Sequence, residues 1–345
     1  MTAKLRSLST LAFGALTAAA LLVPTSTPQA EAQYTVNFGT VAPDTNNPWA
    51  NQLREMKTRV EKETNGAVKI RLFLNGSLGS EIEMVQDARK GERLQGVGVS
   101  AGAMAESAGI PLIQLTELPY LFNNTKEVDA VLDGVLFDPI NKALNDKGFV
   151  MSIWAENGFR SFGTNGGPAT TPEEVSKYKM RSQETPMHLD MYDSLGAQAV
   201  TKPTSEVQGA LSTGIVDGFD NAPLFTLAGG WFKFITHYTL TEHIYQPAVV
   251  AYSKTLWDTL TPEMQTIIMG DPAAEAAKGR AAVRSENAKS VDVMGEMGVT
   301  VVKISPEQKK VFADRTLEVH KKFLKDNPST LSHYKQVQAK LQSMR

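Results

Sequence analysis

Apolar and polar positions alternate at the start of the chain, Tyr34, Val36 and Phe38 against Thr35 and Asn37, the period of a strand with one buried face. A helix is predicted next. Asn47 can cap it, Pro48 suits its first position, and Trp49, Leu53, Met56 and Val60 recur at helical spacing before Asn65-Gly66 ends it. Val68, Ile70 and Leu72 predict a second strand ahead of the Asn75-Gly76 turn. Ile82 and Val85 mark a second helix running towards Gly91, and a third strand falls at residues 97–99. This β-α-β-α-β order implies a parallel sheet with right-handed crossovers and with ligands at the carboxyl ends of its strands. Residues 149–155 predict a further strand. Thr261-Pro262 and Ser305-Pro306 read as helix starts, the second with Gln308 completing a capping box, and the last third of the chain is mostly helical.

Ahead of this pattern, Lys4 and Arg6 precede an apolar stretch at residues 11–23 that is too short and too Ala-rich to span a bilayer. With Ala30-Glu31-Ala32 as a small-x-small site, it reads as a secretory signal cleaved after Ala32, leaving a mature chain in the periplasm. The sequence has 0 cysteines, which excludes a lipobox, disulfides and thiolate metal sites. Loss of Lys4, Arg6 and Glu31 moves the formal net charge only from −2 to about −3, which suggests neither nucleic acid nor an anionic membrane as partner. No later stretch is apolar enough to insert in a membrane. The mature length exceeds one comfortable core, so two domains of roughly 150 residues are expected. No Pro/Gly/Ser linker separates them, which predicts discontinuous lobes: 33–157 with about 247–286, and 158–246 with about 287–345.

Candidate chemistry concentrates between Trp154 and Pro223. Arg160 and Arg181 stand in sparsely charged, Gly- and aromatic-bearing surroundings and are followed by Val216-Asp217-Gly218-Phe219-Asp220-Asn221-Ala222-Pro223. Two guanidinium forks and a side-chain amide suit a carboxylate receptor. Structural salt bridges, with Glu156 and Glu206 as partners, are the competing reading of the arginines, and a turn cap that of Asn221. Gly98-Val99-Ser100-Ala101-Gly102 matches the nucleophile elbow of a serine hydrolase, but a weak helix start follows it and none of the five histidines stands in a telling context. Gly96-x-Gly98-x-x-Ala101 is a loose dinucleotide fingerprint after the wrong strand. No metal-binding spacing is present, no cofactor is expected, and Asp217 and Asp220 read as turn residues.

The ordered blocks of the mature chain resemble the solute-binding proteins of tripartite ATP-independent periplasmic (TRAP) transporters, the dicarboxylate-receptor group. They are Asn65-Gly66 with Asn75-Gly76-Ser77-Leu78-Gly79-Ser80-Glu81, Leu118-Pro119-Tyr120-Leu121-Phe122, Gly158-Phe159-Arg160, Lys179-Met180-Arg181, Leu195-Gly196-Ala197, Glu206-Val207 and Val216-Asp217-Gly218 through Asn221 and Pro223. The resemblance implies an α/β, two-lobed receptor, not an enzyme, that closes on an organic acid and hands it to a membrane permease. Within it Arg181 would pair with the ligand carboxylate, Arg160 would add a second cationic contact and Asn221 would donate. Asn47, Ser100 and Thr204 would adjust selectivity, and Glu206 would orient an arginine. Two arginines facing one cavity repel, so an anion bridging the lobes is expected to favour closure. Departures at Lys177, Ser182-Gln183, Gln208 and Phe219 put a simple C4-dicarboxylate in doubt and admit a larger or more apolar monocarboxylate, keto acid or sugar acid. A binding module for a sensor kinase and a secreted hydrolase using Ser100 are the alternatives.

Overall fold

The structure is a computed structural model describing residues 33–345; the expected signal segment and expected cleavage point after Ala32 lie outside the described residues. Nine strands join in one sheet, in the order β2-β1-β3-β8-β4-β7-β5-β6, with β9 paired to β8. They are β1 (Tyr34–Thr40), β2 (Val68–Phe73), β3 (Gly96–Ser100), β4 (Phe149–Thr164), β5 (Lys179–Ser182), β6 (Gln198–Thr201), β7 (Gly218–Asn221), β8 (His237–Ser253) and β9 (Thr300–Lys303). The predicted β-α-β-α-β start is present, with β1 parallel to both β2 and β3. Helix α1 (Pro48–Glu63) and helix α2 (Glu81–Lys90) make the two crossovers. The Asn65-Gly66 stop forms as expected, both residues taking positive φ.

The second half repeats the logic, β5 lying parallel to β6 and β7. Between the halves run two long antiparallel strands. β4 continues well past the predicted 149–155 to Thr164, and β8 pairs with it through three irregularities in register, one between Glu156 and Gly158 opposite Pro247 and Gln246. A proline there has no N–H for the ladder, and Gly158 takes φ +108°, so the strand bends where its pairing is weakest. The predicted helix starts at Thr261 and Ser305 are both capped by their side chains, the second in a full capping box.

Burial follows the layers. One apolar cluster packs α1 against β1, β2 and β8 through Leu53, Val60, Phe38 and Tyr252. Another gathers Phe219, Phe225, Trp231 and Tyr238 beside β7. The largest joins helices of both halves, from Met84 and Met104 to Met187, Tyr192 and Phe312. Among the described residues no helix is long and apolar enough to cross a membrane.

Candidate functional site

The carboxyl ends of β1, β3, β5 and β7 converge on a cavity of about 80 Å³, as the parallel pairing requires. Arg160, Arg181, Asn221, Ser100 and Thr204 all line it; Asn47 and Glu206 do not. Asn47 caps α1, its Oδ1 accepting from the Ala50 N–H at 3.0 Å and its amide donating to Pro43 O at 2.7 Å. Its amide is thus committed to the local fold. Glu206 pairs with Lys202 at 2.9 Å on the surface, so it orients no arginine.

The two arginines differ sharply. Arg160, on β4, donates from Nε to Asp220 Oδ2 at 2.5 Å, from Nη2 to Asp220 O and from Nη1 to Gln246 Oε1 at 2.6 Å. Asp220 is a buried strand residue and not the turn residue expected from sequence; it also accepts from Tyr192 Oη at 2.7 Å and faces His243 Nε2 at 3.4 Å. Burial opposes both charges, but their mutual attraction prevails: Asp220 is held well below the usual carboxylate range and Arg160 above its ordinary value. Burial drives the His243 imidazole below its ordinary value against the pull of Asp220.

Arg181, on β5, is equally buried and has no carboxylate partner among the described residues. Its Nε and Nη2 both donate to Lys202 O, at 2.9 and 2.6 Å, and its guanidinium carbon lies 5.5 Å from the centre of the Trp231 ring. Burial, then repulsion from Arg160, pushes it down to about 10, so it remains a cation at neutral pH. The expected mutual repulsion of the arginines is therefore present, but only one of them is left without a counter-charge. Neither pairs with Glu156 or Glu206: Glu156 accepts from Arg284 at 2.8 Å.

Of the three amides between them, Gln246 and Asn157 were not singled out in the sequence and Gln183 was noted only as a departure. Gln246 Oε1 accepts from Arg160 and from Asn157 Nδ2 at 2.8 Å, which leaves Gln246 Nε2 to donate to Gln183 Oε1 at 2.6 Å. Asn221 Oδ1 accepts from Asn157 Nδ2 at 2.7 Å and from the Ala222 N–H at 2.8 Å. The fixed charge of Arg160 thus sets the polarity of the chain, and Gln183 and Asn221 are left with N–H groups to offer. Their signal was available in part, since Gln183 lies in the altered flank of Arg181. Phe219, a further departure, is not in the wall; it packs edge-on against Trp231 at 5.0 Å, beneath Arg181.

Ser100 ends β3 and caps the helix α3 (Ala101–Ala108), which forms despite its weak-looking start. The Ser100 hydroxyl donates to Glu81 Oε2 at 2.9 Å and the Ser100 N–H to Glu81 Oε1 at 2.7 Å, with no histidine bonded to it. Burial raises the Glu81 carboxyl above its ordinary value in spite of those bonds. The elbow motif therefore marks a helix cap beside a carboxyl group, without the base a nucleophile needs. Among the described residues no cluster of three or more His, Asp or Glu could hold a metal.

A parallel-edged sheet in two halves, with a half-polar cavity at the strand ends, is the architecture of a solute-binding protein. The chain belongs to the family of bacterial extracellular solute-binding proteins, family 7 (DctP), whose model matches residues 38–327. It is 34% identical over 245 residues to a solute-binding protein of Verminephrobacter eiseniae, covering 70% of this chain and 72% of that one. It is 28% identical over 271 residues to the 2,3-diketo-L-gulonate-binding periplasmic protein YiaO of Escherichia coli, covering 78% and 81%. Among solved structures, a TRAP periplasmic solute-binding protein from Sulfitobacter with bound β-D-galacturonate is similar at TM-score 0.82 and 27% identity, covering 87% of this chain and 98% of that one.

Proposed function

We propose that this chain is an extracytoplasmic receptor that takes an organic acid by its carboxylate and delivers it to a TRAP-type membrane permease. The observation that carries the reading is Arg181, a buried cation held by a backbone carbonyl and left without a carboxylate. Burying an uncompensated charge is costly, and a ligand carboxylate is the group that offsets that cost. Asn221 and Gln183 add neutral donors, Arg160 fixes the orientation of their amides, and Thr204 borders the same space. The relatives named for 2,3-diketo-L-gulonate and crystallised with galacturonate carry acids of this kind. Residues 1–32 serve as the export signal, and the two halves of the sheet act as lobes that flex where β4 and β8 bend at Gly158 and Pro247.

The test is a thermal-shift screen of the mature protein against organic acids. An acid at about 100 times its dissociation constant adds roughly 2.7 kcal/mol of stability. Arg181→Ala is expected to remove the shift of every acid that produces one in the wild type. A shift retained at unchanged affinity would exclude the carboxylate role of Arg181.

A further inference from the structure

Resting on that reading, we infer that the ligand is a monocarboxylate with an apolar body and at most one polar substituent beside the carboxylate, rather than a dicarboxylate or a polyhydroxylated sugar acid. Two independent features of the cavity lead there. The first is its charge. The charged residues of the wall are Arg160, Arg181, Glu81 and Glu156. Arg160 is matched by Asp220 and Glu156 by Arg284, and Glu81 supplies no positive charge. Arg181 is thus the one cation of the wall not bonded to a carboxylate, and it can match one ligand carboxylate. A second carboxylate would enter a wall that has no further cation for it and would stand near Glu81 and Glu156.

The second feature is where the uncommitted hydrogen-bonding groups lie. Asn221 on β7, Gln183 just after β5 and Thr204 after β6 border the cavity with Arg181, and Asn157 adds a buried Oδ1 without a partner. Much of the remaining wall is carbon, from Val41, Trp49, Leu53, Ala248, Val250 and Phe225, with Thr40, Gln52 and Ser100 set among them. The indole N–H of Trp49 is already given to Glu156 O at 2.7 Å, so the ring offers only its apolar face, tilted against Phe225 at 5.7 Å. Gln52 donates its amide to Glu275 O on the long helix Pro272–Glu296. Hydroxyls spread along a sugar chain would meet carbon there and lose their water without replacement. A branched or unbranched hydrocarbon would lose nothing.

Calorimetric titration of the mature wild-type protein tests this with acetate, propanoate, butanoate, 2-hydroxy-4-methylpentanoate, succinate and D-glucuronate, and of Arg181→Ala with the tightest of them. Affinity is expected to rise about fourfold per added methylene from acetate to butanoate. 2-Hydroxy-4-methylpentanoate is expected to bind at least about a hundredfold more tightly than succinate or D-glucuronate, the reach of two to three buried methylenes together with the charge mismatch. A flat series from acetate to butanoate, or tighter binding of succinate or D-glucuronate, overturns the inference. If that binding is lost in Arg181→Ala, the carboxylate receptor stands and only the substrate class falls. If no acid binds, or if Arg181→Ala binds as well as wild type, both fall together.

Discussion

Arg160 and Arg181 lie on neighbouring parts of one sheet, line one cavity and are equally buried, yet they have opposite electrostatic fates. Arg160 has a carboxylate at 2.5 Å, while Arg181 has the carbonyl oxygen of Lys202 and an aromatic face. Burial lowers both, and chiefly Asp220 turns Arg160 back above its ordinary value. The difference separates two tasks that the residue type alone cannot. A paired arginine is a fixed structural charge that orients the amides around it. An unpaired one keeps its charge for a guest.

The largest expected effect breaks the paired side. Asp220→Asn leaves Arg160 as a buried cation without a counter-charge, and should cost about 3–5 kcal/mol of stability in a urea titration of the ligand-free protein. Arg181→Ala, by contrast, removes a cation that has no carboxylate partner, and should leave ligand-free stability within about 1 kcal/mol. Equal losses in the two variants would erase the distinction between the arginines.

A smaller effect probes the relay between them. Gln246→Leu removes the acceptor of Arg160 Nη1 and the donor to Gln183. It should weaken acid binding by about tenfold, one hydrogen-bonded orientation lost, without touching the charge of Arg181. Unchanged affinity would show that Gln183 and Asn221 need no such support.

The smallest effect is a pH slope at Glu81. Burial holds its carboxyl above the ordinary value, so over the interval between the two values the folded chain keeps a proton that the unfolded chain has released. Stability therefore falls as pH rises through that interval. Once ionised, Glu81 also repels an incoming carboxylate, so acid affinity falls in the same direction. Glu81→Gln should flatten both slopes, by up to about tenfold in affinity, read by calorimetry and thermal melts at several pH values.

The strands and helices of the first third were legible because each has one buried face, and the period of Val36 and Phe38 or of Leu53, Met56 and Val60 reports it directly. β8 was not, since Thr239, Thr241, His243 and Gln246 are polar yet buried, and a strand with both faces covered by hydrogen-bonded side chains has no alternation to read. The arginines and Asn221 were visible as residue types in order. What each touches was not: Asp220 and Gln246 reach Arg160 from 60 and 86 positions away. Asn47 shows the converse limit. One asparagine before a proline can cap a helix or face a ligand, and only the hydrogen bond to Ala50 decides that it caps.

The most direct measurement is a crystal structure of the mature protein with the acid that gives the largest thermal shift. Both carboxylate oxygens are expected at about 2.7–2.9 Å from donors of Arg181 and Asn221, with Asp220 still on Arg160. A carboxylate seated elsewhere in the cavity, with Arg181 still bonded only to Lys202 O, would contradict it.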